Sequence, residues 1–105
     1  MESVRVVRWQ SDGPVSEVSL RLLFAAENLE ASRWSNSPGD TYEAHDHNYH
    51  KVIYVVEGSI TFQLPVTGEE VGLHSGHRLE LPSGTVHSAT VGSEGVICLE
   101  AHRSL

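Results

Sequence analysis

With 105 residues the chain has room for one hydrophobic core and none for a second domain. Fourteen Asp and Glu against seven Lys and Arg give a formal charge of −7, which excludes a surface built for nucleic acid or anionic membrane and leaves small molecules or other proteins as partners. A single cysteine rules out an internal disulfide, no apolar run nears the ~20 residues of a membrane span, and Met1 to Trp9 alternates Val with Arg where a secretory leader is continuously apolar. The chain therefore reads as soluble and cytoplasmic.

In chain order, Ser3 to Trp9, with Val4, Val6 and Val7 among Ser and Arg, predicts a short strand ended by Ser11-Asp12-Gly13-Pro14. Pro14 suits a first helical position and Glu17 the positive end of a helix. Val15, Val18, Leu22, Ala26 and Leu29 recur at helical spacing, so one helix is predicted over 15–28, ending at Asn28. A period-2 strand through Val18, Leu20, Leu22 and Phe24 is the weaker alternative.

From Glu30 onward the pattern is strand and turn: 30–35, 41–47, 51–57, 59–64, 70–73, 78–81, 86–91 and 96–101. The separators are Ser37-Pro38-Gly39-Asp40, Glu57-Gly58, Thr67-Gly68, Ser75-Gly76, Pro82-Ser83-Gly84 and Gly92 to Gly95, all turn compositions. Seven or eight short strands in so small a chain predict an all-β sandwich or barrel. Ile60, Phe62 and Leu64 alternate with polar residues and give a strand with one dry face, whereas Val52 to Val56 is apolar on both faces. Such a strand needs cover on both sides, the outer one from a helix or a second subunit. That strand and the strand-like N-terminus together predict a homodimer.

The chemistry gathers at the mouth of this apolar strand, in His45-Asp46-His47-Asn48-Tyr49-His50-Lys51. In extended backbone His45 and His47 point the same way, with Cα atoms about 6.5 Å apart, so one small ion fits between them. About forty residues later Gly76 opens a short apolar strand, Pro82-Ser83-Gly84 turns the chain, and His87 follows at once.

These residues resemble the two motifs of the cupins, small jelly-roll barrels. The first motif runs Gly, five residues, His-x-His, three or four residues, Glu, six residues, Gly, and Gly39, His45, His47 and Gly58 fill its positions with Lys51 in the Glu slot. The second runs Gly, five residues, Pro-x-Gly, two residues, His, three residues, Asn; Gly76, Pro82, Gly84 and His87 match, and Val91 stands in place of Asn. The resemblance covers residues 39 to 91 and implies a cupin-type jelly roll over 30–102, preceded by the strand and helix of 1–29. It also implies that His45, His47 and His87 converge on a divalent metal ion, for which three imidazoles with open positions suit Zn, Fe, Ni, Cu or Mn.

Lys51 complicates that picture, because an ammonium about 4 Å from a doubly charged ion is repelled by roughly 8 kcal/mol at an effective dielectric of 20. Four arrangements answer it: a neutral Lys51, a Lys51 swung to the rim against a carboxylate, a bulge that turns His50 inward as fourth ligand, or no metal and an anionic ligand on Lys51. The rim-pointing Lys51 with a three-His site ranks first, and His50 as an additional ligand second. Lys51 is also the one candidate catalytic residue. His74, His77 and His102 read as solvent-exposed, Glu80 as a surface carboxylate with a second possibility of supporting a ligand imidazole, and Cys98 as an inert thiol in an apolar strand. No nucleophile or phosphate-loop signature is present. Two functions from different classes follow: a metal-dependent enzyme of the oxygenase, isomerase or lyase class on a small organic molecule, or a non-catalytic module that holds a metal or small ligand.

Overall fold

Two long antiparallel strands, β4 (His50–Leu64) and β7 (His87–Arg103), pair from His50 opposite Arg103 to Gln63 opposite Ser88. The computed structural model describes residues 3–9 and 13–103. Around the central pair lie β1 (Arg5–Val7), α1 (Glu17–Ala26), β2 (Ser32–Asn36), β3 (Thr41–His45), β5 (Glu69–His74) and β6 (Arg78–Leu81). The strand order is β1-β6-β4-β7-β2, with β3 added to β7 and β5 to β4, which makes an all-β jelly roll with one short helix. The break expected at Ser11 and Asp12 lies outside the described residues.

The expected turns at Glu57-Gly58 and Gly92 to Gly95 are bends inside continuous strands. The β4–β7 register shifts between Val55 and Glu57 and again between Gly58 and Ile60, so each strand serves both halves of the roll. Gly58 has φ 82°, and a Cβ there would sit 2.0 Å from the Gly95 carbonyl oxygen. Glycine is required at this corner because the two backbones touch. Read along the sequence, such a glycine is indistinguishable from one that ends a strand.

The helix is shorter than the predicted 15–28, and its buried stripe is a different one. Ser16 is the N-cap: its Oγ accepts the Ser19 N–H at 3.0 Å, and Ser19 Oγ accepts the Ser16 N–H at 3.2 Å. Leu20 and Phe24 are fully buried, whereas Val18 and Leu22 of the predicted stripe are 69% and 66% exposed. Apolar residues occupy most of this helix's circumference, so helical spacing alone could not choose the face; the sheet chose the longer ring of Phe24, which meets Tyr54 edge-on at 4.9 Å.

Alternation along β4 then explains the doubly apolar run. Ile53 and Val55 face the barrel core with Leu79, Leu81 and Cys98, and Val52 and Tyr54 face Leu20, Phe24 and Leu99 beneath the helix. The outer cover is therefore α1.

Charged groups also fasten that side. Arg78 donates to both Glu27 oxygens at 2.6 and 2.9 Å, to Glu80 at 3.1 Å and to the Tyr54 hydroxyl at 3.0 Å. His50 Nε2–H donates to Glu80 at 2.9 Å, and Arg103 reaches both Glu27 and Glu80. Glu80, 6% exposed, is thus a buried member of an ion network and not a surface carboxylate. The hydrogen bonds from Arg78 hold the Glu27 carboxyl below its usual range; at Glu80 burial pushes upward, but His50 and Arg78 outweigh it and the net shift is also down.

Candidate metal centre

His45 ends β3 directly opposite His87 at the start of β7. His47 lies beyond β3, on the loop to β4, so the expected strand of 41–47 stops two residues early. Its loop is held to the turn of the second motif by the Gly84 N–H, which donates to the His47 carbonyl at 2.8 Å. The ends of the two motifs meet as well: Gly39 N–H donates to the Val91 carbonyl at 3.1 Å, and Val91 N–H to the Asp40 carbonyl at 2.8 Å. These bonds are backbone to backbone, so they form with Val at the position where the motif has Asn.

The structure brings His45, His47 and His87 together: one ring nitrogen from each lies within 4.8 Å of the others. The ring centroids are 4.4 Å apart for His45 and His87, 4.8 Å for His45 and His47, and 5.4 Å for His47 and His87. His45 Nδ1 lies 2.6 Å from the Glu43 carbonyl, and His87 Nδ1 lies 2.8 Å from the Thr85 carbonyl. A carbonyl only accepts, so each Nδ1 carries its proton, and in the neutral ring Nε2 is left with a bare lone pair. The buried Nε2 atoms of His47 and His87 have no hydrogen-bond partner among the described residues. Burial lowers the pKa of both these rings, with the Lys51 charge and the neighbouring imidazoles adding to it, which favours the neutral form a metal requires.

These residues fit a divalent ion. Two nitrogens held at ~2.1 Å from one metal in tetrahedral geometry are about 3.4 Å apart, so the triad, whose ring nitrogens lie within 4.8 Å of one another, closes on an ion by side-chain rotation of about an ångström. A carbonyl that fixes the distal ring nitrogen is the usual support of a ligating histidine.

The triad faces a cavity of about 280 Å³, walled on its other sides by Trp34, Tyr42, Ile53, Ile60, Phe62 and Ala89. Lys51 also lines it, with a side chain only 12% exposed and Nζ 3.4 Å from Glu100 Oε1. The expected carboxylate partner is therefore present, but Lys51 meets it in the wall and not at an open rim. His50, the possible fourth ligand, points the other way, into the Glu80 network, because it sits on the outward parity of β4. Glu80 accordingly supports His50 and no member of the triad.

Three lining residues were missed in the sequence, Tyr42, Ala89 and Glu100. Glu100 was legible: strand parity puts it on the face of Val96 and Cys98, both in the barrel core. It accepts the Trp34 indole N–H at 3.1 Å and is paired with His102 Nε2 at 2.8 Å. His102 belongs to β7, and its ring stacks on Tyr49 at 3.8 Å, which in turn stacks on His47 at 4.8 Å. Cys98 is buried and its thiol pKa is pushed up to about 12, so it is inert at neutral pH.

The sequence model of the cupin domain matches residues 33–101, two thirds of the chain. The chain belongs to the cupin family. Solved structures agree on the architecture of this cupin. A DUF861 family protein from Thermotoga maritima aligns with 96% of the chain and 100% of its own length, with a TM-score of 0.65 at 12% identity. A structure described with DMSP lyases covers 72% of the chain and 38% of its own, with a TM-score of 0.66 at 24% identity. A polyketide cyclase from Streptomyces resistomycificus covers 70% and 54%, with a TM-score of 0.61 at 25% identity. The cupin thus spans about two fifths of the lyase's length and about half of the cyclase's. No curated protein matches it.

Proposed function

We propose that this cupin binds a divalent metal ion, of the Zn, Fe, Ni or Mn type, through His45, His47 and His87, and acts as a metal-dependent enzyme on a small organic molecule. The observation that carries this reading is the pair of buried, unpartnered Nε2 atoms of His47 and His87 beside a cavity of about 280 Å³. Burying polar nitrogens without partners costs free energy, and an ion supplies what the protein leaves out. When bound, the ion would polarise a substrate carbonyl or activate water or oxygen. The chain's own residues hold His45 and His87 in the ligating tautomer and keep the substrate's apolar part against Trp34 and Phe62. Lyase or isomerase chemistry is the class favoured, in keeping with the lyase and cyclase among the structural relatives.

A second reading, a non-catalytic module that holds a metal or small ligand, is favoured by one observation. Lys51 stands where the motif has Glu, and the lining carboxylate, Glu100, is already engaged by Trp34, Lys51 and His102. Elemental analysis of the purified cupin and of His47→Ala and His87→Ala variants tests the metal site. About one equivalent in the parent and a large loss in both variants is expected; equal content in all three overturns it. Turnover of a candidate substrate by the loaded protein separates the enzyme from the module.

A further inference from the structure

Lys51 has one anionic partner among the described residues, Glu100, at 3.4 Å, a spacing that pairs the charges loosely and leaves donors of a three-donor ammonium available. Glu100 does not depend on Lys51, since the Trp34 indole N–H and His102 also engage it at 3.1 and 2.8 Å. The side chains of Lys51 and Glu100 are 12% and 16% exposed, so little of either reaches the outer surface and the ammonium faces the cavity. A largely buried ammonium with free donors gains from a second oxyanion.

The rest of the cavity says what that oxyanion is attached to. Trp34, Tyr42, Ile60 and Phe62 offer an apolar, partly aromatic wall, with the Trp34 and Tyr42 rings set edge-on at 6.1 Å. We propose that the ligand of this cavity is a small carboxylate with a flat apolar body, its carboxylate held by Lys51 and its body laid against the aromatic wall. This deepens, and rests on, the reading of the cavity as the ligand site. Lys51 is then the residue that selects an anion, and its presence in the Glu slot exchanges a metal-facing carboxylate for a substrate-facing cation. Charge balance agrees: Lys51 and Glu100 cancel, neutral imidazoles add nothing, and a divalent ion leaves the cavity positive until an anion enters.

Calorimetric titration of benzoate and of its neutral isostere benzamide tests this, into the parent, Lys51→Met and Lys51→Arg proteins, each stripped with EDTA and each loaded with Zn. The parent is expected to bind benzoate at least about tenfold more tightly than benzamide, Lys51→Met to lose that preference, and Lys51→Arg to keep most of it. Equal binding of the two probes, no benzoate binding up to the order of 10 mM, or a preference that survives in Lys51→Met overturns the proposal. The comparison of the two probes on the parent stands even if a variant fails to fold. A carboxylate preference in stripped protein, together with no metal by elemental analysis, removes the metal centre and leaves the role of Lys51. Bound metal with no carboxylate preference does the reverse.

Discussion

Strand β4 divides two polar clusters of opposite character. On its outer side Arg78, Glu27, Glu80, Arg103 and His50 are bound into one network that pins the helix to the sheet. On its inner side three imidazoles crowd together while the Nε2 atoms of two of them, buried, meet no hydrogen-bond partner among the described residues. Both clusters carry histidine and both have buried members, His50 and Glu80 outside and His87 inside, so residue type and burial do not tell them apart. Charge pairing does: the carboxylates of the outer cluster are matched by Arg78 and Arg103 of the same chain, and the inner cluster turns three imidazoles toward a cavity with Lys51 in its wall.

The contrast breaks most severely at Arg78. Arg78→Met leaves Glu27 and Glu80 facing each other with their principal partner gone, and urea unfolding is expected to show a loss of about 3–5 kcal/mol; a loss under ~1 kcal/mol would mean the network is solvated and the contrast false. Next comes His87→Ala, with the opposite signature. The metal-free variant should unfold within about 1 kcal/mol of the parent, because removing the unsatisfied Nε2 offsets the lost hydrogen bond to the Thr85 carbonyl. Zn at a hundred times its Kd should stabilise the parent by about 2.7 kcal/mol and the variant hardly at all, as read from thermal unfolding with and without the ion.

The pH dependence sharpens the same comparison. Glu27 and Glu80 have folded pKa values below the ordinary 4.5, so their contribution is complete above that value and disappears as pH falls through the depressed ones. Thermal unfolding between pH 7 and pH 3 should therefore show a steep acid loss that begins near 4.5, and Glu80→Gln should flatten it; an unchanged slope in the variant would place the acid-sensitive groups elsewhere. The smallest effect is expected from Ser16→Ala, which removes the helix cap at about 1 kcal/mol and should leave the metal content of the protein as it was. A fall in metal content would show that the helix and the triad are coupled through β4.

The inner cluster was far more legible in the sequence than the outer one. His45, His47 and His87 stand at the distances from Gly39, Pro82 and Gly84 that the cupin motifs have, so the resemblance to those motifs implied their meeting. Glu80 and Arg78 carry no such spacing; their burial depends on Glu27 and Arg103, which only the folded chain brings near. The helix face was misplaced for a related reason: Val18 and Leu22 repeat as regularly as Leu20 and Phe24, and only Tyr54 on the sheet breaks the tie. Gly58 and Gly95 read as strand ends because composition registers the missing side chain and not the neighbouring backbone that forbids one. Strand alternation could have revealed Glu100, since Val96 and Cys98 share its face, and Ala89, which shares that of His87.

His47 is the only member of the triad carried by a loop, and a backbone hydrogen bond joins that loop to Gly84. The two other histidines are anchored in paired strands, so a guest that shifts the triad on arrival or departure moves this arm first. The Gly84 amide thereby becomes a built-in reporter: its hydrogen-exchange rate should slow when the cavity is filled, even with a compound that never contacts the turn.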